Sequence, residues 1–193
     1  MDPVEYDKKE LTLNQTEVTF KGLLLGCISI LVFGLPYGII WSDSIRPGSI
    51  LPALSISNSF VILLLAGIFI HELIHGISWS FFVPGGFRSI KIGVMWKYLT
   101  PYCHCKQPMK VKHYRIGVIM PTVLLGFLPA ISGLILGKFA LTVYGILYTI
   151  AGGGDLLMMW VLRKEEKEAY VSDHPSKVGC IIYNRPIPQK DSP

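Results

Sequence analysis

The chain has 193 residues, of which 51% are apolar and only 16% charged, with 18 Lys and Arg against 13 Asp and Glu. That is more hydrophobic than an ordinary soluble domain, and the apolar residues gather into long runs, the mark of a polytopic membrane protein. The net charge of +5 calls for no nucleic-acid partner.

The first twenty residues are polar and mixed in charge, with no short apolar core followed by a small-residue cleavage site, so the first apolar run is expected to be retained. Four runs, at about 21–41, 57–83, 114–137 and 139–162, are each long enough to cross a hydrocarbon core of about 30 Å at about 1.5 Å per residue. The expected fold class is therefore an all-α membrane protein of four transmembrane helices, one membrane-embedded domain over 1–193, with a small β-hairpin on the cytoplasmic side. Lys8, Lys9 and Lys21 precede the first span, Arg46 alone separates the first two, seven basic residues from Arg88 to Arg115 lie between the second and third, and Lys138 separates the last two. Under the positive-inside rule this places both termini and the central loop in the cytoplasm of a multi-pass cell-membrane protein.

The second run contains His71-Glu72-Leu73-Ile74-His75. On a helix His71 and His75 share a face and can hold one zinc ion, while Glu72 beside them can act on water. Ionisable side chains inside a span cost about 2.5–3.5 kcal/mol each on the insertion scale, so these three and Asp155 in the fourth run need a functional reason. A buried polar cluster tying helices together is the structural alternative.

The third run carries Pro121 and Pro129, which kink or locally break a helix. Before it, Ile90, Ile92, Val94, Trp96 and Tyr98 alternate with Ser89, Lys91, Gly93, Met95 and Lys97, the period of an amphipathic strand, and Thr100 to Lys106 is its expected hairpin partner within 88–107. Trp96, Tyr98 and Tyr102 suit a membrane–water interface. An unwound substrate segment has the means to pair with the strand edge; a strand lying on the membrane surface is the alternative. In the tail, 163–193, Val178 to Tyr183 is β-prone and a candidate third strand of that hairpin, and Pro186 to Pro193 is expected to fray.

Two histidines leave a catalytic zinc site one protein ligand short. Asp155 leads because it lies eight residues before Arg163, as His75 lies eight before Val83, so both sit about 12 Å from the same membrane face. Gly152, Gly153 and Gly154 let the fourth span approach the second or unwind. His104 and His174 are the competitors. Cys103 and Cys105 would share one strand face with His104 on the other, which disfavours a separate metal site there. Cys27, Cys103, Cys105 and Cys180 have no evident disulfide partners and read as reduced thiols.

An HExxH in one span followed by an aspartate in a later one resembles the site-2 protease class of intramembrane zinc metalloproteases. More closely, His-Glu-Leu-Ile-His-Gly at 71–76, the Cys-His-Cys-Lys of the hairpin, Pro121 and Ala-Gly-Gly-Gly-Asp at 151–155 resemble a bacterial family of multi-pass membrane proteins described as zincin peptidases, over about 50–183. The resemblance implies zinc held by His71, His75 and Asp155, with Glu72 catalytic. The chain departs from the site-2 protease pattern at the aspartate, where an Asn-x-x-Pro-Asp-Gly stretch is replaced by Gly-Gly-Gly-Asp-Leu.

The expected activity is zinc-dependent hydrolysis of a peptide bond by a metal-activated water, in or near the membrane, on a membrane-protein or peptide substrate. A non-catalytic zinc-binding scaffold and a transporter are the rivals. Retention of Glu72 argues against the first, and the single compact polar cluster against the second.

Overall fold

The computed structural model describes residues 7–44, 58–96, 100–175 and 177–184. Helix α1, Gln15–Ser29, begins where the Asn14 side chain accepts the Thr16 N–H at 3.2 Å, and it continues through a π-helical turn, Ile30–Gly34, into α2, Leu35–Ile40. The second span is α3, Asn58–Ser80, whose ionisable residues are His71, Glu72 and His75. The third is α4, Val111–Pro121, a π-helical turn Thr122–Phe127, and α5, Leu128–Leu136.

The two π turns have one cause. Each ends two residues before a proline, Pro36 or Pro129, and the residue between bonds five back, Leu35 N–H to Ile30 and Leu128 N–H to Val123. Proline lacks the N–H and crowds the carbonyl four residues behind it, and widening the preceding turn absorbs that without ending the helix. The expected irregularity of the third span is therefore a π turn that starts after Pro121 and relieves Pro129.

The fourth span is not the continuous helix expected over 139–162. It is α6, Phe139–Ala151, and α7, Gly153–Leu162, bent by 49° at Gly152. Three helical segments, Thr16–Ile40, Phe60–Ser80 and Val111–Leu136, are long and apolar enough to cross a membrane, and the bent pair makes a fourth if counted as one span. Phe20, Leu23, Ile39, Phe69 and Ile135 lie exposed on them, as lipid-facing residues do.

The chain is not all-α, since two antiparallel sheets join the helices. Strands β2, Ile90–Met95, and β3, Thr100–Cys105, form the expected hairpin, with Ile92 opposite Cys103. Tyr98 lies outside the described residues, as does 186–193. The second sheet was not legible in the sequence. It runs β1, Lys8–Thr12; β6, Gly179–Tyr183; β5, Tyr170–Asp173; β4, Met109–Lys110. The β-prone tail segment is thus β6, paired with β1 and β5, and not a third strand of the hairpin.

This sheet brings the N-terminal segment, the end of the central loop and the tail together through β1, β4, β5 and β6. It also closes helix ends. The first N–H groups of α4 are satisfied by the tail, Val111 N–H to Ala169 O at 2.9 Å and Lys112 N–H to Lys167 O at 3.1 Å. Arg115 in return donates to the carbonyls of Leu162 and Glu165 at the end of α7.

Candidate metal centre

His71 and His75 project from one face of α3, their rings 4.9 Å apart and edge to face. Asp155, in the first turn of α7, reaches between them, with Oδ2 3.0 Å from His71 Nε2 and Oδ1 3.5 Å from His75 Nε2. One ligand atom from each of the three residues lies within 4.8 Å of the others, and this is the one such group of three among the described residues.

Asp155 follows the bend at Gly152, the local break that was one of the two outcomes expected of the three glycines; the other, a close approach to the second span, is not the packing they make. A Cβ at Gly152 would run into the Thr122 hydroxyl of the third span, one at Gly153 would stand 3.7 Å from Gly22 of the first, and one at Gly154 would meet nothing. Gly152 and Gly153 fit α7 against the third and first spans, and Asp155 reaches across to α3.

His75 is held on its far side. Its Nδ1–H donates to the Gly117 carbonyl of α4 at 2.9 Å, which leaves Nε2 with its lone pair toward Asp155. Its ring stacks on Trp79 at 5.2 Å, Trp79 stacks on Tyr114 at 5.1 Å, and the Trp79 indole N–H donates to the Tyr114 carbonyl at 3.1 Å. The contact is tight enough that a Cβ at Gly117 would overlap the indole.

Glu72 lies one turn before Gly76 on the helix face that meets the hairpin, with the backbone N–H of Cys103 turned toward its carboxylate. The hairpin itself packs on α3, since a Cβ at Gly76 would stand 3.0 Å from Ile90 and 3.3 Å from Cys103 Sγ.

The residues fit a zinc ion. Asp155 Oδ2 is buried without a hydrogen bond of normal geometry, and the His71 and His75 Nε2 atoms stand 3.0 and 3.5 Å from its carboxylate, so three groups able to act as metal ligands face one another there. Ligands about 2.1 Å from a tetrahedral zinc stand about 3.4 Å apart, close to the two observed separations. His104 and His174, the rival third ligands, lie elsewhere. His104 Nδ1 is 3.2 Å from Asp173, and His174 Nε2 is 3.5 Å from Glu10 while its Nδ1 accepts the Lys177 N–H.

A protein-family profile described as "Putative zincin peptidase" matches residues 64–170, more than half of the 193. The chain belongs to this family. The matched stretch of this zincin-peptidase-family chain holds His71, Glu72, His75, the hairpin and Asp155. No curated protein and no solved structure matches it.

Sequence reasoning missed the supports of His75, which are Trp79, Gly117 and Tyr114, and it missed Asp173 beside His104. The signal for Trp79 was its spacing four residues beyond His75 on the same helix face. Asp173, in a Ser-Asp-His-Pro stretch that reads as a turn, gave none. The four cysteines are free, as expected. Burial pushes the Cys103 thiol up, Cys105 up to about 11 and Cys180 up to about 12, so these thiols stay protonated at neutral pH.

Proposed function

We propose that this chain is a zinc-dependent peptidase working within or at the edge of the membrane, with zinc held by His71, His75 and Asp155. The observation that carries this reading is the convergence of three potential ligand atoms from two helices, one a buried carboxylate oxygen without a hydrogen bond. Bound there, zinc supplies a Lewis acid that brings the pKa of water down toward about 7.

The chain's own residues do the rest. Glu72, one residue from His71, is placed to take a proton from the attacking water and return it to the leaving amine. The Cys103 N–H fixes which way that carboxylate faces, and the Gly117 carbonyl fixes the tautomer of His75. The placement of the motif inside an apolar helix, Phe60–Ser80, supports the finer reading of an intramembrane peptidase of the site-2 protease type, acting on a membrane-protein or peptide substrate. The basic residues favour a cell-membrane protein whose sheet end faces the cytoplasm.

The test is metal analysis of protein purified without chelators, beside Glu72→Gln and Asp155→Ala variants and a cleavage assay on single-span membrane substrates in detergent. The reading expects one zinc per wild-type chain and cleavage that Glu72→Gln abolishes. Wild-type protein without zinc would end it. Full zinc with no loss of cleavage in Glu72→Gln would remove Glu72 from the chemistry.

A further inference from the structure

The two edges of strand β3 differ. Lys106 N–H bonds back to Ser89 O at 2.9 Å, so even-numbered amides of this strand face β2 and odd-numbered ones face away. The outward positions are 101, 103 and 105. Residue 101 is proline and has no N–H, the Cys105 N–H goes to Asp173 Oδ2 at 2.9 Å, and the Cys103 N–H faces the Glu72 carboxylate on the side where Cys103 packs against Gly76 of the HExxH helix. Two carboxylates, one from the HExxH helix and one from the tail, therefore cap adjacent outward donors of one strand.

Asp173 is bound to more than β3. Its Oδ1 accepts the Tyr114 hydroxyl at 2.5 Å, and its Oδ2 also lies 3.2 Å from His104 Nδ1. Tyr114 is the end of the ring stack that runs through Trp79 to His75. The strand that carries Asp173, β5, is fixed by pairing with β4 on one side and β6 on the other. Two donors, the Cys105 N–H and the Tyr114 hydroxyl, converge on one side chain with a histidine nitrogen beside them, a setting that suits an acceptor-only group. Asparagine in its place would turn an NH2 toward at least one of them.

We propose that Asp173 is a positioning residue for Glu72: by pinning β3 through the Cys105 amide, it keeps the Cys103 N–H on the Glu72 carboxylate. The tail sheet thus sets the orientation of the HExxH glutamate from outside the family-matched stretch 64–170. The consequence for turnover rests on the peptidase reading, and the positional claim does not.

The test is residue-resolved hydrogen exchange on the full-length protein in detergent, in a cycle of wild type, Glu72→Ala, Asp173→Asn and the double variant. A charge-assisted hydrogen bond protects an amide by about tenfold or more, so Glu72→Ala alone should speed exchange at Cys103 by that factor, and Asp173→Asn should speed it at both Cys103 and Cys105. In the Asp173→Asn background, adding Glu72→Ala should change Cys103 by less than about twofold, because the bond is already lost. Zinc content should stay at the wild-type level in Asp173→Asn, which separates this claim from the metal assignment. Equal effects of Glu72→Ala in both backgrounds, or unchanged Cys103 exchange in Asp173→Asn, would overturn it. Should Asp173→Asn fail to fold, His104→Ala and Tyr114→Phe each remove one arm of the clamp and are expected to move Cys103 and Cys105 in the same direction by a smaller factor. No movement in either would overturn the proposal equally.

Discussion

His75 donates Nδ1–H to the carbonyl of Gly117 at 2.9 Å, so a side chain of the second span is oriented by the backbone of the third. The same turn of α4 receives the Trp79 indole, and Gly117 leaves the space for it. The setting of His75 is thus a property of two packed helices, and its behaviour under substitution follows from that contact.

Gly117→Ala should disturb both fold and site. The added methyl overlaps the Trp79 ring, with its Cε2 only 2.8 Å from the new carbon, and forced repacking in a tight contact costs about 1–3 kcal/mol. Thermal unfolding in detergent should show a lower midpoint, and zinc affinity should fall about 10–100-fold because the His75 support shifts. An unchanged midpoint with unchanged affinity would contradict the described packing.

Asp155→Ala should lose zinc by more than the about 10–100-fold typical of removing an outer partner of a ligand. Glu72→Gln should keep zinc and lose about 10²–10⁴-fold in cleavage rate. Competition with a chromophoric chelator measures the first and a turnover assay the second.

Glu168 offers a pH test away from the site. Lys110 foremost, then Lys112, both within 2.8 Å, hold its carboxyl down at about 2 against the ordinary 4.5. A carboxyl depressed on folding stabilises the fold above its ordinary value, and that contribution fades as pH falls from 4.5 toward 2. Glu168→Gln should therefore be slightly less stable than wild type at pH 7 and indistinguishable only below about pH 2, with the gap narrowing in salt because the pair is exposed. Thermal unfolding at the two pH values decides it.

The thiols give a simpler check. With Cys105 pushed up to about 11 and Cys180 up to about 12, iodoacetamide at pH 8 should leave both unmodified in the folded protein and label both after denaturation. Mass spectrometry of the two samples reads the difference, and rapid labelling of native Cys180 would contradict its burial.

The sequence by itself determined the apolar spans, the shared face of His71 and His75, the hairpin and the candidacy of Asp155. Each rests on a short-range regularity: run length, a spacing of four, alternation by two, or depth counted from a charged end. It did not determine the sheet. Lys8–Thr12 carries almost no strand signal and is a strand because β6 offers it an edge. Nor did it determine the break at Gly152, where a bend against Thr122 sets the direction of α7. The Trp79–Gly117 contact and the Asp173 clamp belong with these. They depend on residues about 30 to 70 positions apart meeting with the right hydrogen-bond donors, and such a meeting exists only once the helices have packed.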